Sequence, residues 1–432
     1  MLGVFFAGVG IMLAVLMLSV PLPYCFGGAL AFMAVFGDVS MKSMMLWAIP
    51  QITSQVLLAS PLFILSGSLM GSSGIATQLL NFIEIFTGRA KSALGAVSAI
   101  TCAVIGAISG SGYTGIAAIG PIMIPRMVSM GYSRGYSTAL VTAASILGLL
   151  IPPSVNMILY GWVTETSILA CFLSTLGPGV FICLLMCIIN AYVVRNVNIS
   201  LPTKEEVKQK RKEFIPRTAA AFPALMMPVI ILGGIYGGVF TATEAAAVSA
   251  VYAVPVGLFI YKGLKGRTLY KSICDSTTSI GAVMGMIFCG LMLGQVYAFM
   301  QIPEKLASLI LGVTTNKFFL LMLINIFLLF VGMVMSDTMG ILLCAPLLLP
   351  IVKSIGIDPI HFAAIMGTNL AMGGITPPYA SILYFGMKIG DCTFAEVLKP
   401  ILMMICFAYI PGILLATYWE PLSMYLPRLL GY

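Results

Sequence analysis

The chain has 432 residues, 60% of them hydrophobic and 8% charged, against about 25% charged residues in an ordinary soluble domain. That composition excludes water as the main solvent. It predicts an all-α polytopic membrane protein, because a hydrocarbon core of about 30 Å takes about 20 apolar residues per helical span. The formal net charge of +8 gathers largely in two loops, so it reads as membrane orientation and not as a nucleic-acid surface.

In chain order, apolar stretches recur from Met1 to Tyr418 with short polar breaks and predict ten to twelve membrane segments. The first run, Leu2 to Val20, lacks the basic residues that precede a signal-peptide core. It is expected to be retained as a span. Further on, Arg195 to Arg217 forms a basic loop that includes Lys208, Lys210, Arg211 and Lys212, and a shorter one holds Lys262, Lys265, Arg267 and Lys271. Both are expected on the cytoplasmic side. The stretch between them, Thr218 to Tyr261, must then cross twice, and Thr241-Ala242-Thr243-Glu244 in its middle has the pattern of a capping box at an interhelical turn.

Most of the ten cysteines fall in apolar runs without a CxxC pair, which reads as packing and not as a disulfide framework. His361 is the single histidine, too few for a histidine-based metal site, and no GxxxxGK[ST] loop is present. ATP hydrolysis by this chain is not the expected energy source.

An internal repeat organises the sequence. Residues near 106–161 align without a gap on residues near 331–386 at an offset of 225: Ser111 on Ser336, Gly115 on Gly340, Pro121 on Pro346, Pro125 on Pro350, Gly131 on Gly356, Gly148 on Gly373, Pro152-Pro153 on Pro377-Pro378 and Gly161 on Gly386. With the basic loops cytoplasmic, the first copy starts inside and the second outside, so the copies are inverted. Lys305, Lys317 and Lys353 then become periplasmic, against the charge rule.

Each copy has an apolar run, a polar tip (Ser109-Gly110-Ser111-Gly112 or Met335-Ser336-Asp337-Thr338) and a returning run. This pattern fits two full helices or a re-entrant hairpin, and the hairpin is favoured. The second part of each copy is interrupted at Gly148 to Ser154 and at Gly373 to Tyr379, where a proline pair removes two amide donors and forces the helix to unwind. Freed carbonyls near Gly148, Ile151, Gly373 and Thr376 are hard oxygen donors for a small cation, and the half-helix that follows favours an anion. Asp337, an acid at membrane depth, either marks a functional position or caps the helix starting near Met339. Asn369 and Thr368 either line the cavity or bond across helices.

Together, Ile108-Ser109-Gly110-Ser111, the GLLIPPS string at 148–154, Gly237 to Ala247 (GGVFTATEAAA) and GGITPP at 373–378 resemble the large membrane subunit of tripartite ATP-independent periplasmic (TRAP) transporters, over essentially the whole chain. The resemblance implies a multi-pass bacterial inner-membrane protein with an elevator-type transport domain sliding against a scaffold. The implied division is N-terminal scaffold and arm (1–91), first transport repeat (92–163, with hairpin 92–130 and broken helix 137–163) and scaffold (164–316, with loops 195–217 and 262–272). A second transport repeat (317–387, with hairpin 317–354 and broken helix 360–387) and a C-terminal scaffold helix (388–432) follow. It implies one sodium site at Ser109, Ser111, Gly148, Ile151 and Pro153, and another at Gly332, Gly373, Thr376 and Tyr379, the last through its backbone carbonyl. Candidate solute contacts are Ser111, Ser336, Asp337 and Asn369. Sodium is the coupling ion, no organic cofactor is expected, and the cargo is an organic acid anion: sialic acid, a four-carbon dicarboxylate or a sugar acid. The implied partners are a small membrane subunit as a separate chain and a periplasmic solute-binding protein.

Two other classes compete. An intramembrane aspartyl protease needs a second acid facing Asp337, and a serine type needs His361 to meet a serine. A channel would also place broken helices at the midplane, but an inverted repeat suits alternating access better. Within transport, the runner-up is a self-sufficient sodium-coupled anion carrier without a binding protein.

Overall fold

A computed structural model describes the whole chain except residues 1, 19, 38, 87–89, 198–212, 314–315 and 379. The described residues form helices and turns without strands, and eight of these helices are long and apolar enough to cross a membrane. The basic run Lys208 to Lys212 and Tyr379 lie outside the described residues.

The helices keep the 225-residue relation almost residue for residue. The first hairpin has arms Ala93–Ser109 and Gly112–Ser129, and the second has arms Lys317–Val334 and Asp337–Ser354. Three of the four arm ends therefore differ by 225. Each hairpin is followed by a glycine with positive φ, Gly131 or Gly356, and then by a side-chain cap: Ser133 accepts from the Tyr136 amide and Asp358 from the Ile360 amide. The broken helices begin there. Arg134–Ile146 continues through a 3-10 turn at Leu147–Leu149, breaks at a cis Pro152-Pro153 and resumes as Val155–Val163. Pro359–Gly373 breaks at a cis Pro377-Pro378 and resumes as Ser381–Gly390. The capping box expected at Thr241 and Glu244 is also present.

Depth decides between full helices and hairpins. A Cβ placed on Gly110, at the first tip, would lie 3.2 Å from the Pro153 carbonyl oxygen. The tip therefore ends at the break, halfway along the broken helix, and both arms return to the side they left. Among the described residues between the two hairpins, five segments are placed to cross: the first broken helix, Ile168–Val193, Phe214–Tyr236, Ala242–Ile260 and Gly266–Phe299. Five is odd, so the second hairpin enters from the opposite face and the repeats are inverted.

The repeats exchange their second halves. Val155–Val163 packs on the second hairpin arm Asp337–Ser354, and Ser381–Gly390 packs on the first hairpin arm Gly112–Ser129 and on Arg134–Ile146. Every residue from Gly135 to Ile146 and from His361 to Gly373 is buried, so the two unbroken halves form the core of this layer. Helices Gln55–Ser73 and Gly266–Phe299 join it to an outer layer that includes Leu22–Phe36, Met41–Ile52, Phe214–Tyr236 and Ala242–Pro255. At the base of the first hairpin, Arg126 pairs with the buried Glu84.

Two further long helices pack on the hairpins and broken helices. Ile168–Val193 lies on the first hairpin and both broken helices, and Phe394–Tyr418 lies on Arg134–Ile146 and Pro359–Gly373. They stand about 225 residues apart, so each structural repeat has a third helix.

Hairpin and broken helix approach through glycines. A Cβ on Gly148 would overlap the Gly106 backbone, and one on Gly373 would overlap the Gly332 backbone. The arm glycines differ by 226, a one-residue slip against the offset of 225. Gly148→Ala is expected to destabilise the protein by about 1–3 kcal/mol through overpacking. Gly281→Ala, within a helix and with nothing within 4 Å of its Cβ position, is expected to be neutral or slightly stabilising. Thermal unfolding in detergent checks both, with a lower midpoint only for Gly148→Ala.

Candidate functional site

The first break is enclosed. Pro152, Pro153 and Ser154 are buried, and Ser154 Oγ donates to the Leu149 carbonyl at 2.6 Å. Ile151 N–H donates back to the Leu147 carbonyl at 2.8 Å, so the chain turns sharply before the prolines. Opposite stands the hairpin tip. Ser109 is buried, and its single hydroxyl proton is shared between the carbonyls of Gly106 (3.0 Å) and Ser111 (3.4 Å). Ser111 is extended (φ −141°, ψ 130°), half-buried, and its side chain makes no cap bond to the arm it precedes. The contacts of Gly106 with Gly148 and Gly110 with Pro153 therefore bring Ser109, Ser111, Gly148, Ile151 and Pro153 into one locality.

The second break is more open. Thr376 and Pro377 are half-buried and Pro378 is exposed. Thr376 donates its hydroxyl to the Met372 carbonyl at 2.8 Å and its amide to the Gly373 carbonyl at 3.0 Å. Gly332, Gly373 and Thr376 are together, while Tyr379 lies outside the described residues. The first tip and the second break also meet: Ile382 Cδ1 would lie 2.9 Å from a Cβ on Gly112 and 3.1 Å from one on Gly374.

At the second tip, Ser336 caps its arm by accepting from the Met339 amide at 3.4 Å, so the cap is Ser336 and Asp337 is the first helical residue. The Asp337 carboxylate accepts from Asn156 Nδ2 at 2.7 Å, and Asn156 Oδ1 accepts from the Thr338 hydroxyl at 3.3 Å. Asn156 thus ties the half-helix after the first break to the second hairpin. Its symmetry counterpart is a bond from the Tyr113 hydroxyl to Ser381 Oγ at 2.7 Å. None of these three partners (Asn156, Tyr113, Ser381) stood out as a motif in the sequence. The signal was the offset itself, which maps Asn156 on Ser381 and Tyr113 on Thr338.

Asn369 is placed one turn before the second break, within the buried half of its helix. It is 1% exposed, and its amide hydrogens go to Asn325 Oδ1 (2.7 Å) and the Ile365 carbonyl (2.8 Å). Asn325 in turn bonds Thr417. Of the two readings open to Asn369, bonding across helices is the one its geometry matches, because both donors are engaged in a buried network. Thr368 is likewise buried and bonds back to Ala364 and Ile365.

The donors at both breaks are neutral oxygens. Among the described residues no three His, Cys, Asp or Glu side chains gather to hold a metal ion. Carbonyl and hydroxyl groups of this kind suit a weakly bound hard cation better than a transition metal.

Residues 9–421 match the family model described as "Tripartite ATP-independent periplasmic transporter, DctM component". The chain is 34% identical to the C4-dicarboxylate TRAP transporter large permease protein DctM of Pseudomonas aeruginosa, over 94% of this chain and 93% of that one. It is 32% identical to the sialic acid TRAP transporter large permease protein SiaM of Vibrio cholerae, over 94% of each. It is 33% identical to the isethionate TRAP transporter permease protein DctMQ of Oleidesulfovibrio alaskensis, over 94% of this chain, and it spans 63% of that relative's length. Among solved structures, the YdaH transporter of Alcanivorax borkumensis shares the fold with a TM-score of 0.60 at 13% identity, over 89% of each chain.

The Asn156–Asp337 bond is expected to couple the two repeats energetically. Asn156→Ala should destabilise the protein by about 1–3 kcal/mol, since it takes from a buried carboxylate its side-chain donor. In a double-mutant cycle with Asp337→Asn the losses should be non-additive by about 1 kcal/mol or more. Unfolding free energies of the four proteins in detergent check this.

Proposed function

The chain belongs to the DctM family of tripartite ATP-independent periplasmic transporters, a multi-pass protein of the bacterial inner membrane, and from that premise we propose that it imports an organic acid anion by sodium symport. The solute is delivered by a periplasmic binding protein, and a small membrane subunit completes the scaffold. The relatives' names refer to a C4-dicarboxylate, sialic acid and isethionate, each bearing an acidic group. The observation that carries the reading is the pairing of a hairpin tip with a proline-unwound break in both inverted copies, with neutral carbonyl and hydroxyl oxygens at both breaks and, among the described residues, no cluster of three metal-ligating side chains.

In this reading one sodium ion is held at Ser109, Ser111, Gly148, Ile151 and Pro153, and another at Gly332, Gly373, Thr376 and Tyr379. Filling these positions draws tip and break together and completes the seat for the anion near Ser111 and Ser336. Asp337, compensated by Asn156 and by the start of its helix, positions the second tip. The layer of hairpins, broken helices and their third helices then moves as one body against the outer layer. An exchange of second halves supports such rigidity, because neither repeat can move without the other.

Uptake into proteoliposomes tests the proposal. Radiolabelled succinate, N-acetylneuraminate and gluconate are offered with their loaded binding proteins. One of them is expected to enter only when the small subunit, the binding protein and an inward sodium gradient are all present. Entry through this chain alone would favour the self-sufficient carrier, and entry driven by protons without sodium would remove the sodium assignment.

A further inference from the structure

The two cross-repeat ties are equivalent by position and unlike in surroundings. Asn156 is 3% exposed, and both ends of its amide are engaged by Asp337 and Thr338. Its counterpart Ser381 is half-buried, and Tyr113, which bonds it, is 43% exposed. Close by, Tyr384 is also 43% exposed, its hydroxyl donating to the Pro378 carbonyl at 3.1 Å. The Tyr113 ring stands edge-on to Phe385 at 5.7 Å, which fixes the direction of its hydroxyl. One tie is therefore closed, made by an amide and a carboxylate, and the other is an open shelf of hydroxyls.

The shelf is at membrane depth, because Tyr113 follows the first tip and Ser381 begins the half-helix after the second break. Polar groups exposed at that depth are stable only against water or protein. The hydrogen-bond direction also matters. The Tyr113 O–H donates to Ser381 Oγ, so Ser381 keeps its own proton to donate onward, and a hydroxyl that already accepts a bond donates more strongly. A carboxylate oxygen is the acceptor that gains most from such a donor.

Resting on the transport reading above, we propose that Ser381 contacts the cargo in transit and donates a hydrogen bond to its carboxylate, with Tyr113 as the positioning residue behind it. The asymmetry assigns different tasks to equivalent positions: Asn156 fastens the repeats and Ser381 reads the solute.

Two measurements test this. In lipid nanodiscs, Ser381→Cys is treated with 2-sulfonatoethyl methanethiosulfonate, a water-borne anionic thiol reagent, and modification is read at residue 381 by peptide mass spectrometry. It should react at least about tenfold faster than Leu383→Cys, the buried neighbour on the same half-helix. Labelling at position 381 that is no faster than at position 383 overturns the proposal, whether or not transport is seen. In the proteoliposome assay, Ser381→Ala should slow uptake about tenfold at saturating loaded binding protein, the loss expected for one charge-assisted hydrogen bond. Ser381→Thr should restore most of the rate, Tyr113→Phe should give a partial loss, and the sodium concentration for half-maximal uptake should not move. Wild-type uptake in Ser381→Ala, or an equal loss in Ser381→Thr, overturns it. A wild-type protein that takes up none of the three solutes defeats the transport reading instead, and the labelling result then still decides whether Ser381 faces water.

Discussion

Everything in this fold depends on two places where backbone meets backbone at membrane depth. A proline pair strips amide donors from the middle of a buried helix and leaves carbonyls that hydrocarbon cannot satisfy. The only neighbour that can come close enough is another main chain without side chains in the way. Gly106 against Gly148 and Gly332 against Gly373 provide that approach. It places each hairpin tip at the break, stops the hairpin halfway through the bilayer and gathers the neutral oxygens there into one small volume.

The inverted copies are equal in backbone and unequal in chemistry. The first break is buried, while the second opens to the surface at Pro378. Ser336 uses its hydroxyl to cap its arm and Ser111 leaves its hydroxyl uncommitted. The tie at Asn156 is enclosed and the tie at Ser381 is half open. An inverted repeat gives two ways to face the membrane, and these differences leave equivalent positions of the two copies with different polar groups enclosed or open.

The exchange of second halves explains how so many breaks remain ordered. Val155–Val163 and Ser381–Gly390 are helices of 9 and 10 residues, each too short to be stable alone. Each is held by the hairpin of the opposite copy and by one polar tie. The third helices, Ile168–Val193 and Phe394–Tyr418, pack on the layer, and the second of them receives the Asn369–Asn325–Thr417 network through Thr417. A buried network with its donors engaged fixes register between helices where apolar packing in lipid would allow sliding.

Much of this was legible in the residues. Composition and apolar run length determined a helical membrane protein, the 225-residue offset determined two copies, and the charge of the loops determined that they are inverted. The proline pairs located both breaks, and the serine tips located both hairpins, because these features are local and depend on backbone chemistry. Tertiary structure alone decided which side chains meet across the repeats. The carboxylate of Asp337 takes its donor from a residue 181 positions away, and Asn369, polar and near a break, turns its donors into the packing. Whether a polar residue faces a ligand or a neighbouring helix depends on its rotation about a helix axis relative to distant segments, and sequence spacing within one copy does not specify that rotation.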